Sequence, residues 1–121
     1  MRGLMEVLRE LVDAGVQGSF WIDGSFVTEK IDPDDVDCVL RLEADFYDNA
    51  NTDQQKAIDW LDDDLATTHH CDTYNWMEWT EQNPNYWVGE YFYAYWLKQF
   101  GFSRADQMKG IAVIELNGRK P

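Results

Sequence analysis

The chain has 121 residues, 45% of them apolar and 15% aromatic, which is enough to bury one core and too apolar for a disordered chain. A formal net charge of −13 gives an acidic surface that repels phosphate backbones and anionic lipid, so direct binding to nucleic acid or membrane is disfavoured. No apolar run is long enough to cross a bilayer and no secretory signal is visible, which predicts one cytoplasmic domain over 1–121.

Taken in chain order, "GLMEVLRELVDA" at 3–14 sets Leu4, Val7, Leu8, Leu11 and Val12 on one stripe and predicts a helix ended by Gly15. "GSFWI" at 18–22 reads as a short strand that stops at Asp23-Gly24. "DVDCVLRL" at 35–42 reads as a second strand, with Val36 and Cys38 facing away from Asp35 and Asp37. "NTDQQKAIDWLDDDLATT" predicts a helix capped by Thr52 or Asp53, with Ala57, Ile58, Leu61 and Leu65 inward. That helix carries Asp62, Asp63 and Asp64 near its C-terminal end, where the helix dipole disfavours them.

"THHCDTYNW" at 68–76 is β-prone and reads as a third strand. A turn at "EQNPNYW" leads into a helix over 85–100, and "KGIAVIEL" at 109–116 reads as the last strand. The expected order is α-β-β-α-β-α-β: an α+β fold with helices packed on a four-stranded mixed sheet. Cys38 and Cys71 lie in apolar-looking runs and are expected to be buried free thiols.

Four aspartates, Asp32, Asp34, Asp35 and Asp37, crowd the entry to the second strand. Asp35 and Asp37 stand two residues apart and so share a face, where two adjacent carboxylates repel unless a hard divalent cation lies between them. A solvated polar turn is the simpler account of an isolated Asp-x-Asp. This one is not isolated, because Gly24-Ser25 ends the preceding strand and nine residues separate Ser25 from Asp35.

A Gly-Ser turn followed by a spacer and Asp-x-Asp resembles the nucleotidyltransferase superfamily, with its polymerase-beta-like fold and small minimal members. The nearer resemblance is to small bacterial and phage members that carry a "DGSF-T-K--P-D-D" block, a later strand with an aspartate, and a closing "FGxxR…KGI" segment. Here the corresponding stretches are "DGSFVTEKIDPDD" and "FGFSRADQMKGI". The resemblance spans most of residues 18–116 and implies transfer of a nucleoside monophosphate from an NTP to a hydroxyl, with Mg²⁺ or Mn²⁺ held by carboxylates. It implies that Gly24 and Ser25 cradle the triphosphate, that Asp35, Asp37 and Asp72 hold the metal, and that Lys30 reaches a phosphate. Glu115 is the fallback for the third carboxylate, and Arg104 and Lys109 are weaker phosphate candidates. Two positions depart from the wider superfamily: Asp23 precedes the glycine where a hydrophobic residue is usual, and Phe26 follows the turn where an arginine is common.

The helix over 85–100 carries two aromatic stripes, Trp87-Tyr91-Tyr95 and Val88-Phe92-Trp96-Phe100. One stripe packs on the sheet. The simplest account of the other is more core; because the apolar arc is wider than one face needs, the alternative is a protein interface, either a homodimer seam or a docking surface, while base stacking on a nucleic acid is disfavoured by the acidity. With no room for a separate acceptor-binding domain, an active enzyme would take its acceptor from a partner protein, as the resemblance implies for toxin–antitoxin or phage-defence pairs. The alternative is a catalytically silent acidic protein that imitates a phosphate backbone and blocks a basic nucleic-acid-binding partner.

Overall fold

Apolar residues on both sides of one central strand require cover on both sides, and the architecture supplies it. The structure is a computed structural model that describes residues 2–23, 36–69, 71–101 and 111–118. Helix α1 (Arg2–Ala14) is followed by strands β1 (Gln17–Asp23) and β2 (Val36–Glu43). Three helices come next: α2 (Ala44–Asn49), α3 (Thr52–Trp60) and α4 (Leu65–His69). Strand β3 (Cys71–Glu78), helix α5 (Tyr86–Gly101) and strand β4 (Ile111–Asn117) complete the described elements. The sheet order is β3-β2-β1-β4. β1 pairs antiparallel with β2 and β4, and β2 pairs parallel with β3, so the sheet is mixed and open.

The element order corrects the sequence reading. Three helices join β2 to β3 where one was expected, giving α-β-β-α-α-α-β-α-β among the described residues. A parallel pair needs a crossover to return the chain to the same end of the sheet, and these helices form it. The predicted single helix breaks at the acidic cluster. Asp64 accepts hydrogen bonds from the Thr67 backbone N–H at 3.3 Å and the Thr67 hydroxyl at 2.8 Å, which starts a new helix whose last two residues, Thr68 and His69, were expected to open a strand. The dipole conflict disappears, because α3 has already ended at Trp60. Its cap is Asn51 rather than Thr52 or Asp53: Asn51 Oδ1 accepts from the Gln54 N–H, and Gln54 Oε1 accepts from the Asn51 N–H.

Strand alternation sorts the side chains into two layers. Phe20, Ile22, Val36, Cys38, Leu40, Leu42 and Cys71 point to one face, where Leu4, Val7 and Leu11 of α1, Ile58 of α3 and Leu65 of α4 close the larger core. Trp21, Val39 and Trp76 point to the other face and pack under Trp96 and Phe100 of α5. β2 is therefore apolar on both sides, as a strand covered by two layers must be. α1 stops at Gly15, whose φ of 82° suits glycine and turns the chain back so that Val16 N–H reaches the Leu11 carbonyl.

Candidate carboxylate site at the sheet end

The site follows from strand parity. Asp23 lies two residues beyond Trp21, Asp37 two before Val39, and Asp72 four before Trp76, so all three share the α5 face. Asp37 and Asp72 are register partners across the parallel β2–β3 pair. The β1–β2 register runs to Ile22↔Cys38, which brings Asp23 to the level of Asp37 on the other side. Neighbouring strands lie about 4.8 Å apart, so the three carboxylates form a row about 10 Å long. All three residues are half-buried.

α5 runs over this row at its C-terminal end. Asp23 and Asp37 share a cavity of about 150 Å³ with Tyr74, Tyr95, Trp96, Gln99 and Phe100. Tyr74 packs on Trp96 with ring centroids 5.1 Å apart, and Tyr95 meets Trp96 edge-on at 4.8 Å. The acidic field is felt by its neighbours. Burial pushes the Tyr74 phenol above its usual value, and the charges of Asp72 and Asp37 add to the shift. On the opposite face, a hydrogen bond with Cys71 raises the Cys38 thiol. Burial adds to that, followed by the charges of Cys71, Asp37 and Asp23. Cys38 and Cys71 carry no disulfide and both are buried.

The donor chemistry fits a hard divalent cation. Asp37 and Asp72 offer carboxylate oxygens on one face, while the sulfur of Cys71 belongs to the other. Among the described residues, no three His, Cys, Asp or Glu side chains close into a ready-made metal cage. Of the residues singled out from sequence, Asp37 and Asp72 are brought together. Gly24, Ser25, Lys30, Asp35, Arg104 and Lys109 lie outside the described residues. Glu115 is on the same face but at the other end, in register with Ser19, whose hydroxyl donates to its carboxylate at 2.9 Å. Four residues of strand place it about 13 Å from the Asp23 level.

Trp87 and Tyr91 stand in solvent at 66% and 60% exposure, and Tyr95 is the member of their stripe that reaches the cavity. Sequence reasoning passed over Asp23 as a binding residue, although its parity with Trp21 was readable. It also passed over Tyr74 and Gln99, whose roles depend on where α5 crosses the sheet. Trp96 has a second distinction: its indole N–H is buried without an acceptor, whereas the Trp76 N–H donates to the Gly89 carbonyl at 3.2 Å.

At the far end of the same face, Arg41 is held out of any phosphate role. Its guanidinium donates to both Glu78 carboxylate oxygens at 2.7 and 3.0 Å. It also lies over Trp76 at 4.7 Å and Tyr93 at 5.1 Å. The cation is thus neutralised and caged four residues from Asp37 on the same strand.

A family model described as a family of unknown function, DUF6932, matches residues 1–115. No curated protein and no solved structure matches the chain.

Proposed function

We propose, from the sequence resemblance together with the site, a Mg²⁺- or Mn²⁺-dependent nucleotidyl transfer from an NTP to a hydroxyl; the chain belongs to DUF6932, whose description assigns no activity. The observation that carries this reading is the register pairing of Asp37 with Asp72 on the α5 face. Two like charges directly opposite each other destabilise a sheet unless a cation or a proton separates them. β1, which carries Asp23 to the same row, leads directly into Gly24-Ser25.

In the transfer, an acceptor oxygen bonds to the α-phosphorus, and the bond from that phosphorus to the β-phosphate bridging oxygen breaks. Pyrophosphate leaves with the electron pair. The hydroxyl proton passes to Asp72 or to water. When bound, the divalent cation supplies charge neutralisation at the phosphate oxygens. Asp37 and Asp72 would hold it, joined by Asp35 on the pattern that the sequence resembles. Gly24 and Ser25 would cradle the triphosphate. Tyr74, Tyr95 and Trp96 wall the cavity that Asp23 and Asp37 share.

The acceptor belongs to a partner protein, because a surface at −13 disfavours a nucleic-acid acceptor. No helix among the described residues is long and apolar enough to cross a membrane. A toxin–antitoxin or phage-defence pair in the cytoplasm is the setting that the resemblance favours.

A second reading is supported by the exposed Trp87 and Tyr91: a catalytically silent acidic protein that docks on a basic nucleic-acid-binding partner. The deciding measurement is calorimetric titration of NTP with and without Mg²⁺ or Mn²⁺. The transfer reading expects metal-dependent binding that weakens at least about tenfold in Asp37→Ala and Asp72→Ala. Metal-independent binding, or none in the wild type, leaves only the docking role.

A further inference from the structure

We infer that the outer stripe of α5 is the track on which a basic, extended polypeptide segment of a partner approaches the carboxylate row. Trp87, Tyr91, Tyr95 and Gln99 follow one another at i, i+4 spacing, and the last two line the cavity that holds Asp23 and Asp37. The stripe is therefore continuous with the candidate site. Trp87, Tyr91, Tyr95 and Gln99 are all exposed, the first two at 66% and 60%. From Trp87 to Gln99 the helix rises about 18 Å, the span of about six residues of extended chain.

Charge selects the occupant. The row at one end is acidic. At the other end Glu81 and Glu90 are exposed, with Glu90 hydrogen-bonded to the Tyr86 hydroxyl. Lys98 is the cation along the helix, against a chain at −13. The molecule also contains a worked instance of this chemistry. Beneath α5, Arg41 packs over Trp76 and Tyr93 while Glu78 binds its guanidinium. The outer stripe offers the same pairing of rings and carboxylates to a cation supplied from outside. A second copy of this chain would bring another −13 to the surface, and a nucleic acid would bring phosphates to it. The inference rests on the transfer reading in one respect: the stripe's end at the carboxylates makes the bound segment a substrate rather than only a ligand.

The test uses the full chain and three fluorescein-labelled probes: an alternating Arg-Ser decapeptide, a Gly-Ser decapeptide and a single-stranded oligouridylate. Binding is read by anisotropy for the wild type and for Trp87→Ala/Tyr91→Ala, which leaves the net charge unchanged. The expected result is binding of the Arg-Ser peptide that weakens about tenfold in the double variant, with circular dichroism and metal-dependent NTP binding intact. Equal Arg-Ser affinity in both proteins would overturn the track, because general acidity would then explain the binding. Tighter binding of the oligouridylate overturns it in favour of a nucleic acid. A wild-type dimer that becomes a monomer in the double variant, seen by sedimentation, overturns it in favour of a second copy. If the peptide result holds while the wild type binds no NTP with metal, the track stands and the transfer reading falls.

Discussion

Asp37 on β2 and Asp72 on β3 face each other across a parallel strand pair, on the face covered by α5. Asp72→Asn is expected to stabilise the metal-free protein by about 0.2–1 kcal/mol, because it removes one of two opposed charges. With millimolar Mg²⁺ or Mn²⁺ the order narrows or reverses, since ligand binding stabilises only the protein that binds it. Thermal melts of both proteins with and without metal read this directly. A Tm for Asp72→Asn that lies below the wild type without metal would show that the two carboxylates are not in conflict.

Arg41 and Glu78 form the polar counterpart of that pair at the other end of the face. The bidentate fork and the rings above it suit a planar guanidinium and not an ammonium. Arg41→Lys keeps the charge but is expected to destabilise by about 1–2 kcal/mol, measured by urea unfolding. A change below about 0.5 kcal/mol would mean that the stacking and the second hydrogen bond contribute nothing.

The two thiols give a pH prediction with a definite sign. The Cys38 thiol is raised in the folded state, by its hydrogen bond with Cys71 first and by burial second. An unfolded thiol ionises near pH 8.5 while the folded one does not. Stability is therefore intact below that pH and declines as pH rises above it, by up to about 1.4 kcal/mol per pH unit for one thiol. Urea unfolding between pH 8 and 9.5 should show the decline, and Cys38→Ala should flatten it. Iodoacetamide at pH 8 should label neither cysteine until the chain unfolds, because both are buried. Rapid native labelling of Cys38 would contradict the burial on which this rests.

Trp76 on β3 and Trp96 on α5 are both buried between the sheet and that helix, at 1% and 8% exposure, yet only the first has an acceptor for its N–H. Trp76→Phe removes a side-chain hydrogen bond to the Gly89 carbonyl, which keeps its helical partner, whereas Trp96→Phe removes a donor already without a partner. Trp76→Phe is expected to cost about 0.5–1.5 kcal/mol more than Trp96→Phe in denaturant unfolding. Equal costs would place the difference in ring packing alone.

How much of this was legible depended on whether one strand or two was needed. The alternation of Val36, Asp37 and Cys38 is visible in the residues, and β2 has that parity. The inner stripe of α5 is visible too, because Trp96 and Phe100 repeat at helical spacing. The break between α3 and α4 was missed: the stretch from Thr68 to Cys71 looks β-prone, and the local signal was the three-residue step from Asp64 to Thr67. The partnership of Asp37 with Asp72 needed the resemblance, since parity says nothing about which strands become neighbours. Arg41 was not singled out from the sequence. Its cage depends on Tyr93 arriving from α5, which no short window of sequence contains.

Gly3 tests how closely α1 meets α4. In a solvent-facing helix, alanine is favoured over glycine by up to about 1 kcal/mol. Here a Cβ on Gly3 would collide with the His69 backbone carbonyl, which is not the movable end of a flexible side chain. α4 is a single short turn held between the acidic break and β3, with Leu65 buried beneath it, so it has little freedom to retreat. Gly3→Ala should therefore destabilise by about 1–3 kcal/mol, the range of an overpacked contact, reversing the sign that helix propensity predicts. Met5→Ala, at a side chain 59% exposed on the same helix, should stay within about 0.5 kcal/mol of the wild type. Urea unfolding of both variants separates the two effects: a stabilised Gly3→Ala would mean that α1 and α4 are not in contact at His69.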